Sequence, residues 1–277
     1  MWNTTLARCA PLAALLGALL ASGPAAADLM LHLTRIVFEK NQRAAQVELI
    51  NNSAEPATYR ISLVNRRMTE KGDFVAAVPA LPGELFAEPM LRFAPRQVTL
   101  EPGTAQTVRV MLRLPAELPE GEYRSHLQFD KLPDATGTSS IETLAAPGGG
   151  IAVRLEALIG AAMPIIVRHG EGSASVTLSD LALEGDGAQL AVRFERSGKH
   201  SVYGDLSVDF TPNGGVERNL ARIGGVAVYT PNLVRHARLP LKLPPGLKLA
   251  HGVLQVSYRE RPETGARVLA HAALLLP

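Results

Sequence analysis

The sequence predicts an all-β protein built from two antiparallel sandwiches, and three observations carry that prediction. Short segments in which apolar and polar residues alternate recur along most of the chain, and a period of two is what a strand needs when one face is buried and the other is not. Clusters of Gly, Pro, Asn and Asp separate these segments, residues that either tolerate positive φ or preset it for a turn. A polar break, Arg168-His169-Gly170-Glu171-Gly172, divides the alternating part into two stretches, each long enough for one sandwich.

The chain opens on a leader. Arg8 supplies a positive start, Pro11 to Ser22 is an apolar run of signal-peptide length, and Ala25-Ala26-Ala27 offers small residues before a cut ahead of Asp28. Residues 1–27 are therefore expected to be removed. Cys9 precedes the apolar run, the wrong side for a lipoprotein cysteine, and both Cys9 and Trp2 leave with the leader. An exported chain without cysteine has no disulfides, so its stability must come from hydrophobic cores.

From Asp28 to Leu132 the expected strands are Leu31 to Phe38, Ala44 to Asn51, Ala57 to Asn65, Leu91 to Ala94, Gln97 to Leu100, Ala105 to Leu112 and Gly121 to Phe129. Asn51-Asn52-Ser53, Lys71-Gly72-Asp73, Pro79 to Gly83 and Glu101-Pro102-Gly103 are the turns between them. Asp134 to Gly150 is poor in large apolar residues and ends in three glycines, the composition of a functional or mobile loop. It feeds Ile151 to Val167, in which every odd-numbered residue is apolar: Ile151, Val153, Leu155, Ala157, Ile159, Ala161, Met163, Ile165 and Val167. Strands of globular proteins usually stop at about five or six residues. A strand that outlasts its own domain invites a partner.

Residues 169–172 form the linker between a first domain, 28–168, and a second, 173–277. In the second, strands are expected at Ser175 to Leu183, Gln189 to Glu195, Tyr203 to Phe210, Val216 to Ile223, Val226 to Val228, Val234 to Leu241, Leu254 to Arg259 and Ala266 to Leu276. Turns at Gly185-Asp186-Gly187, Pro212 to Gly215 and Leu243 to Gly246 separate several of them. No repeat of fixed period is present.

Composition excludes several functions. A net charge of +2 gives no basis for bulk nucleic-acid binding, and local clusters such as Arg66-Arg67 read as solvated faces. No second apolar run of membrane-spanning length follows the leader. The seven histidines, His32, His126, His169, His200, His236, His251 and His271, lie at no metal-binding spacing and read as surface or packing residues. There is no G-x-S-x-G elbow, and Gly148-Gly149-Gly150 lacks the Lys-Ser/Thr of a phosphate loop. The expectation is a protein that is not an enzyme, with no cofactor and no metal.

Thr34-Arg35-Ile36-Val37-Phe38, then Val47 to Ser53 (VELINNS), then Leu100-Glu101-Pro102-Gly103 followed by Thr107-Val108-Arg109-Val110, resemble periplasmic pilus assembly chaperones of the chaperone–usher type. The resemblance covers about Leu31 to Gly170, and the second domain only in outline. It implies a periplasmic protein of two immunoglobulin-like sandwiches in a boomerang arrangement, holding pilus or fimbrial subunits in and beside the cleft and delivering them to an outer-membrane usher. Under it, Ile151 to Val167 is a donor strand, with Ile151, Val153, Leu155, Ala157 and Ile159 entering the groove of a subunit that lacks its last strand. Backbone hydrogen bonds would give affinity and the alternate side chains register. An exposed apolar strand also invites self-association.

The resemblance assigns Arg35 to the cleft cation that anchors the subunit's terminal carboxylate, a task suited to a guanidinium because it offers two parallel charge-assisted hydrogen bonds. The family's second cleft cation is a lysine, and the matching position here is Pro164. Arg124, on the neighbouring expected strand, is the candidate substitute, ahead of Arg168 and Arg154. The competing reading is an exported binding or structural protein of the cell envelope with two immunoglobulin-like domains, since fold does not fix function. A gene neighbourhood without an usher and incomplete subunits would favour it.

Overall fold

A computed structural model describes residues 29–133 and 160–277. Among these residues the chain is all-β apart from short 3₁₀ turns, and it forms two sandwiches of the immunoglobulin-like kind. In the first, one sheet is ordered β1 (Leu29–Leu31), β3 (Ala44–Asn51), β9 (Ala105–Leu112) and β7 (Leu91–Ala94). The facing sheet is ordered β2 (Ile36–Phe38), β11 (Ala161–His169), β10 (Gly121–Lys131), β4 (Ala57–Val64) and β8 (Gln97–Leu100). Phe38, Leu49, Tyr59, Val108, Leu127, Phe129 and Ile165 close the space between them.

The second sandwich packs β12 (Ala174–Glu184), β13 (Gln189–Gly198) and β16 (Val234–Pro240) against β15 (Arg218–Val228), β14 (Val202–Pro212), β17 (Gly252–Arg259) and β18 (Val268–Leu276). Its core is centred on Leu190, Phe194, Leu206, Phe210, Leu254 and Tyr258, with the Phe194 and Tyr258 rings edge to face at 5.3 Å. Met68 and Ile166, which precede the second sandwich in sequence, are buried in this second core.

Three expectations about strands are corrected. Leu31 to Phe38 is not one strand, because β1 pairs with β3 while β2 pairs parallel with β11, so residues 32–35 carry the chain from one sheet to the other. The expected Val216 to Ile223 strand begins only at Arg218 and is continuous with Val226 to Val228 as a single β15, which runs through Gly224-Gly225 with an irregular register against β14. A further hairpin, β5 (Arg66–Met68) and β6 (Phe74–Ala76), folds around the Lys71-Gly72-Asp73 turn. Its strands are too short to leave an alternating signature.

Local chemistry accounts for the turns that position these strands. Asn51 is fully buried and its amide donates to the carbonyls of Glu55 and Leu100 at 2.8 and 2.9 Å, while its oxygen accepts from the amide and hydroxyl of Ser53. That Asx geometry fixes the Asn51-Asn52-Ser53 turn.

The strand β11 settles one half of the long alternating segment. Met163, Ile165 and Val167 are buried in the first core, and Ile166 points the other way into the second. Pro164 faces His126 of β10, whereas pairing with β2 begins only at Ile165. A residue without an N–H thus sits where one neighbour is missing. Ile151, Val153, Leu155, Ala157 and Ile159, together with Arg154 and the 134–150 segment, lie outside the described residues.

Candidate functional site between the sandwiches

One face of one sheet builds the site. Along β10 the odd positions Tyr123, Leu127 and Phe129 enter the first core, so strand alternation sends Glu122, Arg124 and His126 to the opposite face. By sequence that would be the solvent face. The second sandwich covers it, and all three side chains are buried. The antiparallel register sets Glu122 opposite Arg168, Arg124 opposite Ile166 and His126 opposite Pro164.

Glu122 ties the two sandwiches together. Its carboxylate accepts from the Ser201 amide at 3.0 Å, from the Ser201 hydroxyl, from the Thr230 hydroxyl at 3.2 Å and from Arg168 Nε at 3.0 Å. Burial pushes its pKa up, but the Ser201 hydroxyl, the Arg168 charge and the Ser201 amide outweigh burial and hold it below the ordinary value. Arg168 continues the chain of contacts to Glu39 and to the Ser201 carbonyl. Its donors are thus engaged, which leaves it a structural rather than a receiving cation.

Arg35 and Arg124 meet around two tyrosines of the second sandwich. The Arg35 guanidinium stacks on the Tyr203 ring, 3.9 Å from its centroid, and Arg124 stacks on Tyr229 at 4.6 Å. Burial pushes the Tyr229 phenol up to about 12, with both arginines acting against that rise, so the two cations share one neighbour. Burial also lowers the pKa of each guanidinium from its usual value. They differ in burial more than in donors left over: Arg124 is 7% exposed and donates Nη1 to the Thr230 carbonyl at 2.9 Å, Arg35 is only partly buried, and among the described residues Arg124 Nε and Arg35 Nη1 are each without a partner.

Two openings flank the Tyr203 ring. One, of about 570 Å³, is bordered by Arg35, Arg168, His200 and Tyr203. The other, of about 420 Å³, lies beside Pro164 and is bordered by Arg66, Phe74, His126, Tyr203 and Arg235. Arg66 and Arg67 are therefore not the solvated face expected from sequence. Arg66 donates to Gln128 Oε1 at 2.6 Å, and Arg67 pairs through Nε and Nη2 with Glu84, whose side chain is 4% exposed. Glu122, Tyr203, Tyr229 and Arg235 were not singled out by sequence reading. The available signal was the even face of β10, where an acid, a guanidinium and an imidazole follow one another at period two.

Among the described residues no group of three or more His, Cys, Asp or Glu side chains could hold a metal ion, and no helix is long and apolar enough to cross a membrane.

No protein-family model matches this chain, and no curated protein does. Among solved structures it is similar to the YadV chaperone, at 12% identity over 90% of this chain and all of that one, with a TM-score of 0.46. The Pseudomonas aeruginosa CupB2 chaperone follows at 14% identity, 90% of this chain, all of that one, and a TM-score of 0.44. A chain of the CsuC–CsuE chaperone–tip adhesion subunit pre-assembly complex of Acinetobacter baumannii, from archaic chaperone–usher pili, has 11% identity over 91% of this chain and all of that one, with a TM-score of 0.44. The class that the fold itself defines, on its own strand order, is a protein of two β-sandwiches joined across a polar, arginine-rich cleft.

Proposed function

We propose that this chain is a periplasmic chaperone that binds and stabilises pilus or fimbrial subunits by donor-strand complementation and passes them to an outer-membrane usher. One observation carries the reading. The face that β11 buries in the first core, Met163, Ile165 and Val167, continues in sequence as an unbroken series of apolar odd positions back to Ile151. Among the described residues, the first core takes up the end of that series from Ala161 to Val167. Adding a strand to an incomplete partner, as pilin donor-strand complementation does, uses the rest: main-chain bonds bind without regard to sequence, and side chains at period two fill pockets. Burying each large aliphatic side chain contributes on the order of 1.5–3 kcal/mol, so Ile151, Val153, Leu155 and Ile159 would supply most of the apolar gain.

Replacing Leu155 with Glu is expected to abolish capture of a co-expressed subunit while the free protein stays folded, because the carboxylate would be desolvated without a partner in the groove. Capture at the wild-type level in a pull-down would refute the donor role.

Arg35, with Arg124 behind it, is the proposed anchor for the subunit's terminal carboxylate. The unspent Nη1 of Arg35 supports this role, since a charge-assisted hydrogen bond contributes about 1.5–3 kcal/mol. Arg35→Ala is expected to weaken binding of a peptide with a free terminal carboxylate about ten- to a hundredfold, and that of the amidated peptide much less. Equal losses in calorimetric titrations would remove the anchor assignment.

A further inference from the structure

Beside Pro164 the cleft contains donors that no described residue uses. His126 is 2% exposed, borders the 420 Å³ opening, and neither of its ring nitrogens has a hydrogen-bond partner. Arg66 Nε and Arg235 Nε, on the same opening, are also buried without partners, although each guanidinium is held in place by another bond, to Gln128 Oε1 and to the Ala227 carbonyl at 2.5 Å. Buried polar groups are nearly always satisfied, so three unsatisfied donors converging on one opening call for an acceptor.

Pro164, where the resemblance would place a lysine, borders this opening. Pro164, opposite His126 on the neighbouring strand, brings neither charge nor a long side chain into the space. From the other sandwich, the Arg235 guanidinium lies over Gly72, where a Cβ would come within 2.5–2.7 Å of it, and Gly72 has a φ of +92° that suits glycine. Asp73 is the carboxylate that acts on Arg235. Phe74 and Tyr229 give the opening an aromatic border next to these donors: Phe74 lies edge to face on His126 at 5.1 Å and near Tyr229 at 6.0 Å.

We infer that Arg66, His126 and Arg235 form a second carboxylate subsite, separated from Arg35 by the Tyr203 ring, which receives an acidic side chain of a polypeptide bound in the cleft. Two guanidiniums present donors only and carry the positive charge, and a neutral imidazole adds one N–H, which fits an oxyanion and not a cation. The acid comes from a side chain because a bound chain has one terminal carboxylate, and under the proposed function that carboxylate goes to Arg35. The inference rests on the reading of the cleft as the seat of a subunit segment. It adds a sequence requirement: an Asp or Glu near the end of the bound segment, beside apolar residues that meet Phe74.

Calorimetric titration of the full mature protein with short peptides tests it. The pair N-acetyl-Leu-Asp-Leu-Phe-amide and N-acetyl-Leu-Asn-Leu-Phe-amide isolates the side-chain carboxylate; N-acetyl-Leu-Asn-Leu-Phe with a free end isolates the chain terminus. The Asp peptide is expected to bind at least tenfold more tightly than the Asn peptide. Arg66→Gln, Arg235→Gln and His126→Phe should each reduce that preference to less than threefold, with Arg35→Ala leaving it intact. Equal binding of the two amides, no measurable binding of any peptide, or a preference untouched by Arg66→Gln and Arg235→Gln overturns the subsite. So does a free-end preference that Arg235→Gln removes and Arg35→Ala does not, because the opening would then take the terminus. Melting of each variant verifies folding, and Arg35→Ala acting on the free-end peptide alone tests the underlying anchor separately.

Discussion

Lowering the pH from 6.5 towards 3 is expected to destabilise the folded protein by about 1.4 kcal/mol per unit, and His126→Phe is expected to remove most of that loss. Burial, and then the charges of Arg124 and Arg66, hold the His126 pKa down at about 3 in the folded state, against 6.5 for a free imidazole. Between those values the unfolded chain binds a proton that the folded chain refuses. The sign follows: the contribution is fully present above pH 6.5 and is lost progressively as the pH falls, amounting to several kcal/mol by the lower end. Phenylalanine keeps an aromatic ring against Phe74, which is 5.1 Å from the imidazole, and has no proton to take up. Urea unfolding at a series of pH values, followed by circular dichroism, measures both slopes. Parallel slopes for the wild type and the variant would show that His126 is charged or solvated in the fold.

Glu122→Ala is expected to cost about 3–5 kcal/mol and to separate the unfolding of the two sandwiches. The side chain is fully buried, and its loss strands the Ser201 amide, the Ser201 and Thr230 hydroxyls and one side of Arg168 at the contact between the halves of the molecule. Unsatisfied buried donors cost more than the bonds they made were worth. Calorimetry should resolve a lower, broadened or split transition; one unshifted transition would mean that Glu122 does not couple the sandwiches. The milder Glu122→Gln separates this group from His126. Since the Glu122 pKa is held below its ordinary 4.5, its stabilisation is present above that value and disappears as the pH falls through the folded-state value. Glu122→Gln should therefore flatten the stability profile only below about pH 4.5, whereas His126→Phe should flatten it across the range from 6.5 down to about 3.

These two residues also mark where sequence reasoning ends. Glu122 and His126 sit in a strand whose position and inward face were legible, because alternation is a relation between residues two apart and each core-facing side chain announces itself by being apolar. Turn chemistry placed most boundaries for the same local reason, as at Asn51, and it failed where a strand of three residues was too short to show a period, as in the hairpin around Gly72. Arg35 was legible from its surrounding motif; the stacking on Tyr203, 168 positions away, was not.

The sequence by itself determined that the chain is all-β and that its strands bury a definite face. Only the tertiary structure decided which polar residues are spent and which are free. Arg124 gives its Nη1 to Thr230, 106 residues away, and Arg168 closes on Glu122, while among the described residues Arg35 Nη1, Arg66 Nε, Arg124 Nε, Arg235 Nε and the His126 ring are left without partners. The physical reason is that solvation and pairing are long-range properties. A polar side chain on the outer face of a strand is an ordinary surface residue until another sandwich covers it, and then every donor must find an acceptor or wait for one.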